Sequence, residues 1–165
     1  MTRLLGIDLG ERRIGLALAD DDGSSAYPLA TLRRGRDLAA DGAALRVIVE
    51  RETVDGLVVG LPLEAFGAEG PQAGLTRTWA TGIQALLGVP MVYRDERLSS
   101  HLAETRLGPM KRGRSGGPPS KTQRDAYRAR VDREAAAIIL QDELDTRAGL
   151  RSSMPRPPDS QEISR

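Results

Sequence analysis

Apolar residues alternate with small or polar ones at the start of the chain. Leu5, Ile7 and Leu9 fall on one side of an extended segment, and Leu4, Gly6, Asp8 and Gly10 on the other. After Gly10-Glu11-Arg12-Arg13 the alternation resumes, with Ile14, Leu16 and Leu18 opposed to Gly15, Ala17 and Ala19, which predicts a β-hairpin closed by a short loop. Ala26 to Arg34 reads as a third strand, and Pro28 places it at an edge or at a strand start. Asp37 to Glu52 carries Leu38, Leu45, Ile48 and Val49 on one helical stripe, and Gly56 to Pro62 is a continuous apolar run of the kind buried on both faces. Leu63 to Gly74 is expected to be a loop, Leu75 to Leu87 a helix stopped by Gly88, and Val89 to Tyr93 a short strand leading into Arg94-Asp95-Glu96-Arg97. Ser99 and Ser100 are expected to cap a helix ending near Leu107. A Gly- and Pro-rich loop from Gly108 to Pro119 follows, and Ser120 then opens a long helix to about Thr146. Three successive strands followed by alternating helices and strands is a mixed α/β pattern, with one domain over residues 1–146 and a disordered tail over 147–165.

Two elements carry carboxylates that folding does not require. Asp8 leaves the first strand from a face lined with glycine and alanine, a surface that admits a second backbone, a helix or a polymeric ligand but offers little packing energy. Asp132 lies three, four and seven residues before Ala135, Ala136 and Ile139, on the stripe of the last helix that must face the sheet. A carboxylate there costs stability unless it is bound to a cation or paired, for instance with Arg128 four residues earlier. A third carboxylate, Glu96 or its neighbour Asp95, stands at the end of a central strand.

Composition narrows the chemistry. The 165 residues contain no cysteine and one histidine, His101, which excludes disulfides, thiolate zinc sites, cysteine nucleophiles and His-rich metal centres. Oxygen-only ligands from Asp8, Glu96 (or Asp95) and Asp132 suit Mg²⁺ or Mn²⁺, and two such ions would support phosphodiester hydrolysis without any histidine or cysteine. Aromatic residues make up only 3%, so nucleic-acid binding must be chiefly electrostatic. Net charge is +1, but residues 111–133 hold eight basic residues against two acidic ones. From this stretch and the sites' flanks, Arg12, Arg13, Arg97, Lys111, Arg112, Arg114, Lys121 and Arg124 are the expected phosphate contacts. With no membrane-length apolar run and no signal-peptide core, the chain is expected in the cytoplasm, as a monomer or homodimer.

GIDLGERRIGLALAD, VVGLPL, DERLS and VDREAAAIILQDELD, in this order and spacing, resemble the YqgF family. These are Holliday-junction-resolvase-like proteins, also described as nucleases that mature the precursor of small-subunit ribosomal RNA. The similarity runs from about Leu4 to Asp145. It implies an RNase H-like fold with three antiparallel strands, then two parallel ones, and helices on both faces. It also implies acidic metal-binding positions at Asp8, Glu96 and Asp132, with structured RNA, branched DNA or pre-ribosomal particles as partners. The chain departs from the family pattern at Glu64-Ala65-Phe66-Gly67, where an Asn-Met-Asp-Gly-like stretch is expected, and in the long Gly/Pro loop before the last helix. A nuclease is the leading expectation. A non-catalytic assembly module that keeps the fold with a vestigial site is the alternative, and an actin-like ATPase fails because it needs two such domains.

Overall fold

The computed structural model describes residues 2–153. Five strands, β1 (Arg3–Leu9), β2 (Arg13–Asp20), β3 (Tyr27–Arg33), β4 (Gly56–Leu61) and β5 (Met91–Asp95), form one sheet in the order β3-β2-β1-β4-β5. β1, β2 and β3 are antiparallel, whereas β4 and β5 run parallel to β1. Four helices complete the chain: α1 (Leu38–Glu52), α2 (Pro71–Leu87), α3 (Ser99–Leu107) and α4 (Lys121–Ser153).

Alternation along the strands sorts the residues into two cores. Leu5, Ile7, Ile14, Leu16, Leu18, Leu57 and Val59 pack under α1 and α2 against Leu45, Ile48, Trp79 and Ile83. On the other face, Leu4, Ala17, Ala19 and Val58 meet Ala136, Ile139, Leu140 and Leu144 of α4. That face is built for close approach: a Cβ on Gly6 would stand 2.7 Å from the Ala136 carbonyl oxygen, and one on Gly15 would overlap the carbonyl of Asp132. Helix α3 sits outside α4, with Ala103 packed on Val131 and Ala135.

Several boundaries differ from the sequence reading for local reasons. Helix α2 starts at Pro71 rather than Leu75, because proline at the first helical position lacks only a donor that would be unpaired there anyway. Ser99 and Ser100 lie inside α3 rather than capping it. Leu98 is the N-cap residue, and the Ser99 hydroxyl turns back to donate to the Glu96 carbonyl at 2.9 Å. Ser120 does cap α4: its Oγ accepts from the Gln123 amide at 3.1 Å while Gln123 Oε1 accepts from the Ser120 amide at 2.7 Å. The tail expected from Arg147 is helical as far as Ser153. Arg147 pairs with Glu143 at 2.7 Å and Arg151 with Asp21 at 2.9 Å, so charge holds seven residues that composition alone would release. Residues 154–165 of that expected tail lie outside the described residues. Among the described residues no helix is long and apolar enough to cross a membrane.

Candidate active site

The carboxyl ends of the parallel strands meet at one edge of the sheet, where α/β proteins commonly bind ligands. Asp8 sits near the end of β1 with the parity of Gly6, so it faces α4. Arg94 in β5 reaches Asp142 and Glu143 of α4, at 2.9 and 3.4 Å. Glu96, two residues on, keeps that parity, and its Oε2 lies above Gly60 of β4, where a Cβ would collide with it. Gly60 is therefore the vacancy in the sheet that Glu96 fills. Asp132 comes from α4, whose backbone crosses directly over Gly15, the cross-strand partner of Asp8. Three elements distant in sequence thus deliver Asp8, Glu96 and Asp132 to one place.

Asp8 and Glu96 face each other closely enough for one to donate a proton to the other. Burial is the main cause that lifts both carboxyls, Asp8 to about 6 and Glu96 to about 9. The hydrogen bond from Glu96 partly offsets the rise at Asp8, whereas the Asp132 charge adds to it; for Glu96 the Asp8 charge adds to the rise. Glu96 Oε2 is buried without a hydrogen-bond partner, a state a carboxylate oxygen adopts only at a cost. Asp95 separates from its neighbour here. It is exposed, its side chain accepts from Arg97 Nε at 2.8 Å, and that bond holds its pKa below the usual range.

Asp132 is paired with Arg13 rather than Arg128: Arg13 Nε lies 2.5 Å from Asp132 Oδ2. Among the described residues no three acidic or histidine side chains are gathered tightly enough to hold a metal ion. The donors present nevertheless fit a hard divalent cation, because the facing pair is all-oxygen, desolvated and carries an unpartnered atom, with Asp132 adjacent.

The expected phosphate contacts are only partly brought together. Arg12, Arg13 and Lys121 line one groove, joined by Arg33 and Arg34, which the sequence reading missed, and by the acidic Glu11 and Asp125; Arg13 connects it to Asp132. Their only sequence signal is position, Arg33 closing β3 and Arg34 following it directly. Arg97 lies in a separate groove with Asp95, Leu98 and Leu102. Arg112 and Arg124 turn onto loop carbonyls, those of Gly116 at 3.4 Å and Pro119 at 2.6 Å, and Lys111 and Arg114 are exposed on the same loop.

A five-stranded sheet of this order with helices on both faces is an RNase H-like fold. The chain belongs to the RuvX family, described as Holliday junction resolvase, whose model matches residues 2–146. The family resemblance read from the four motifs is therefore borne out. A relative from Anaeromyxobacter dehalogenans (strain 2CP-C), named "Putative pre-16S rRNA nuclease", is 47% identical over 147 residues, covering 88% of this chain and 98% of its own. A relative of the same name from Moorella thermoacetica is 41% identical over 143 residues, covering 87% and 94%. Among solved structures, Thermus thermophilus RuvC is similar with a TM-score of 0.51 at 15% identity, over 90% of this chain and 97% of that one, a likeness of fold. Its complex with a Holliday junction substrate gives a TM-score of 0.50 at 16% identity, with the same coverage.

Proposed function

We propose that the chain is a divalent-metal-dependent endonuclease that hydrolyses phosphodiester bonds in structured nucleic acid, with the 5′ end of pre-16S ribosomal RNA as its substrate. The observation that carries this reading is the facing Asp8–Glu96 pair, desolvated and with an unpartnered oxygen, together with Asp132, whose partner Arg13 lines a groove with Arg12 and Lys121. Asp8 and Glu96 would hold Mg²⁺ or Mn²⁺, with Asp132 as the third ligand. Two such ions would supply water activation at neutral pH and charge neutralisation at the leaving 3′ oxygen. The basic groove positions the backbone through its phosphates and reads no base sequence. Arg97, in a separate groove, is held by Asp95 and by the Ala65 carbonyl at 3.1 Å, and it would align the strand beyond the scissile phosphate. The relatives' name favours ribosomal RNA, and their 98% and 94% coverage means the match spans nearly their whole length.

Branched DNA is the second reading, favoured by the family's description. Single-turnover cleavage of a structured precursor RNA and of a four-way DNA junction, with Mg²⁺, Mn²⁺ and Ca²⁺ in turn, separates the two. Asp8→Asn keeps the shape and removes the charge, so it should lower cleavage by at least about 10³-fold while phosphate-driven binding persists. Ca²⁺ should permit binding with little turnover. Equal residual activity in wild type and Asp8→Asn would indicate a contaminating nuclease and leave the assembly module as the reading.

A further inference from the structure

The chain is poor in aromatic rings, and the fold gives most of them a partner. Trp79 is buried and donates to Asp41, Tyr93 lies under the Arg77 guanidinium at 4.5 Å, and Tyr127 donates to the Gly108 carbonyl at 2.8 Å. Tyr27 is half exposed on β3, the edge strand farthest from β5. Phe66, the one phenylalanine, is 99% exposed, and it stands in Glu64-Ala65-Phe66-Gly67, where the chain departs from the family pattern. The turn that carries it is closed by hydrogen bonds. The Gly67 amide donates to the Glu64 carbonyl and the Glu64 amide to the Ala68 carbonyl, both at 2.8 Å, and Gly67 takes the left-handed φ of 83° that favours glycine. Ordered backbone thus holds the ring in water, although burial is where a phenylalanine gains most.

That turn stands beside the acidic pair. The Glu96 amide donates to the Leu61 carbonyl at the end of β4, at 3.2 Å, and Arg97, the next residue, donates to the Ala65 carbonyl at 3.1 Å. The carboxylates around the turn are already compensated. Asp95 is paired with Arg97 and Glu69 with Arg77, while Glu64 lies against Gly70 at the start of α2, where the helix dipole favours an anion. A phosphate chain can therefore pass the turn with little repulsion from these three.

We propose that Phe66 is a stacking platform for an unpaired nucleobase beside the scissile phosphate. A strand aligned by Arg97 brings its bases past the turn, and a base there lays its face on the ring. Stacking needs a free π-face, which bases inside a double helix lack and bases in overhangs, bulges and junctions have. The ring accepts any base, so it adds no sequence preference; what it selects is local unpairing. The proposal rests on the reading of the chain as a nuclease of structured nucleic acid, with Arg97 on the substrate strand.

The test compares two hairpins that differ only in their bases, one with a short adenine 5′ overhang and one whose overhang is abasic, each made in RNA and in DNA. Both keep the same phosphates, so the electrostatic contribution cancels. Binding to the full chain is measured in EDTA, independently of cleavage. Wild type should prefer the adenine overhang by about tenfold. Phe66→Ala and Phe66→Leu should bind both hairpins alike, at the abasic affinity, because leucine keeps the apolar surface and loses the ring. Phe66→Trp should keep the preference, and its fluorescence should be quenched by the adenine overhang and not by the abasic one; Trp79, the other tryptophan in that variant, is buried. The same preference in Phe66→Ala as in wild type, or no preference in wild type, would overturn the platform alone. Failure of wild type to bind any of the hairpins would overturn the platform and the nuclease reading together. Self-association of wild type that Phe66→Ala abolishes, with hairpin binding unchanged, would assign the ring to a second copy of the chain and overturn the proposal.

Discussion

Each face of the sheet buries a carboxylate, and the two are treated in opposite ways. On the α1 side, Asp41 in the first turn of that helix is 2% exposed, yet it accepts from the Gly35 amide at 2.7 Å and the Trp79 indole at 3.0 Å, with Arg34 Nε at 3.5 Å. Under α4, Asp8 and Glu96 face one another, and Glu96 Oε2 has no partner at all. A carboxylate whose lone pairs are filled from within ties the fold together, here joining α1, α2 and the segment after β3. One left unfilled among small residues costs stability that only an added cation or proton restores. Side-chain size follows the same division, with Leu, Ile, Val and Trp on the first face and Gly6, Gly15 and Gly60 on the second.

The largest effect should come from closing the gap on the small-residue face. Gly15→Ala drives a methyl into the Asp132 carbonyl and so forces α4 off the sheet. It should destabilise by about 3 kcal/mol and abolish cleavage, as read by urea unfolding and the nuclease assay. Gly74→Ala in α2 meets nothing within 4 Å and should instead stabilise by roughly 0.5–1 kcal/mol. Equal effects of the two would show that close approach does not set the second face apart.

Charge removal should then give opposite signs on the two faces. Asp41→Asn leaves an amide where an acceptor is needed and should cost about 1–3 kcal/mol. Asp8→Asn removes a desolvated charge and should raise metal-free thermal stability above about pH 9, where Glu96 is ionised as well and repels it. A loss of stability in Asp8→Asn under those conditions would mean that Asp8 is satisfied as Asp41 is.

The pH dependence is a third and smaller signature. Asp8 and Glu96 have folded pKa values raised from 3.8 and 4.5 to about 6 and about 9. The folded state therefore holds protons that the unfolded chain has released, and stability falls as pH rises through those values. Their contribution is complete below about pH 4 and lost progressively toward pH 9. Relative to the Asp8→Asn/Glu96→Gln double variant, the metal-free protein should lose stability across that window, and Mg²⁺ should reduce the loss by mass action. A flat difference between the two proteins would show that neither burial nor repulsion raises these carboxyls.

Smallest is the salt dependence of nucleic-acid binding. Arg12→Ala with Lys121→Ala, both in the groove that Arg13 connects to Asp132, should flatten the log-log slope by about two units. Arg112→Ala with Arg114→Ala on the Gly/Pro loop should flatten it less, because Arg112 is turned onto the Gly116 carbonyl. The reverse order would place the backbone across the loop.

Local pattern determined a good deal of this protein. Alternation with a period of two assigned Asp8 to the small-residue face, helical spacing put Asp132 toward the sheet, and Pro28 allowed β3 an edge or a strand start, of which the edge is where it lies. Each of these depends on neighbours a few residues away, which is why it can be read along the chain. The choice between Asp95 and Glu96 could not, since adjacent residues point to opposite faces and only the register of β5 on β4, Gly60 with Arg94, decides which one turns toward Asp8. The partner of Asp132 was equally out of reach: Arg128 lies one helical turn away in sequence, but the crossing of α4 over Gly15 brings up Arg13 instead. The basic residues followed the same rule, as the charge count pointed to the loop while the fold assembled Arg12, Arg13, Arg33, Arg34 and Lys121 from three elements. Sequence determines which face a side chain leaves from, but strand order and helix crossing decide what it meets there, because those contacts join residues as distant as Arg13 and Asp132, 119 positions apart.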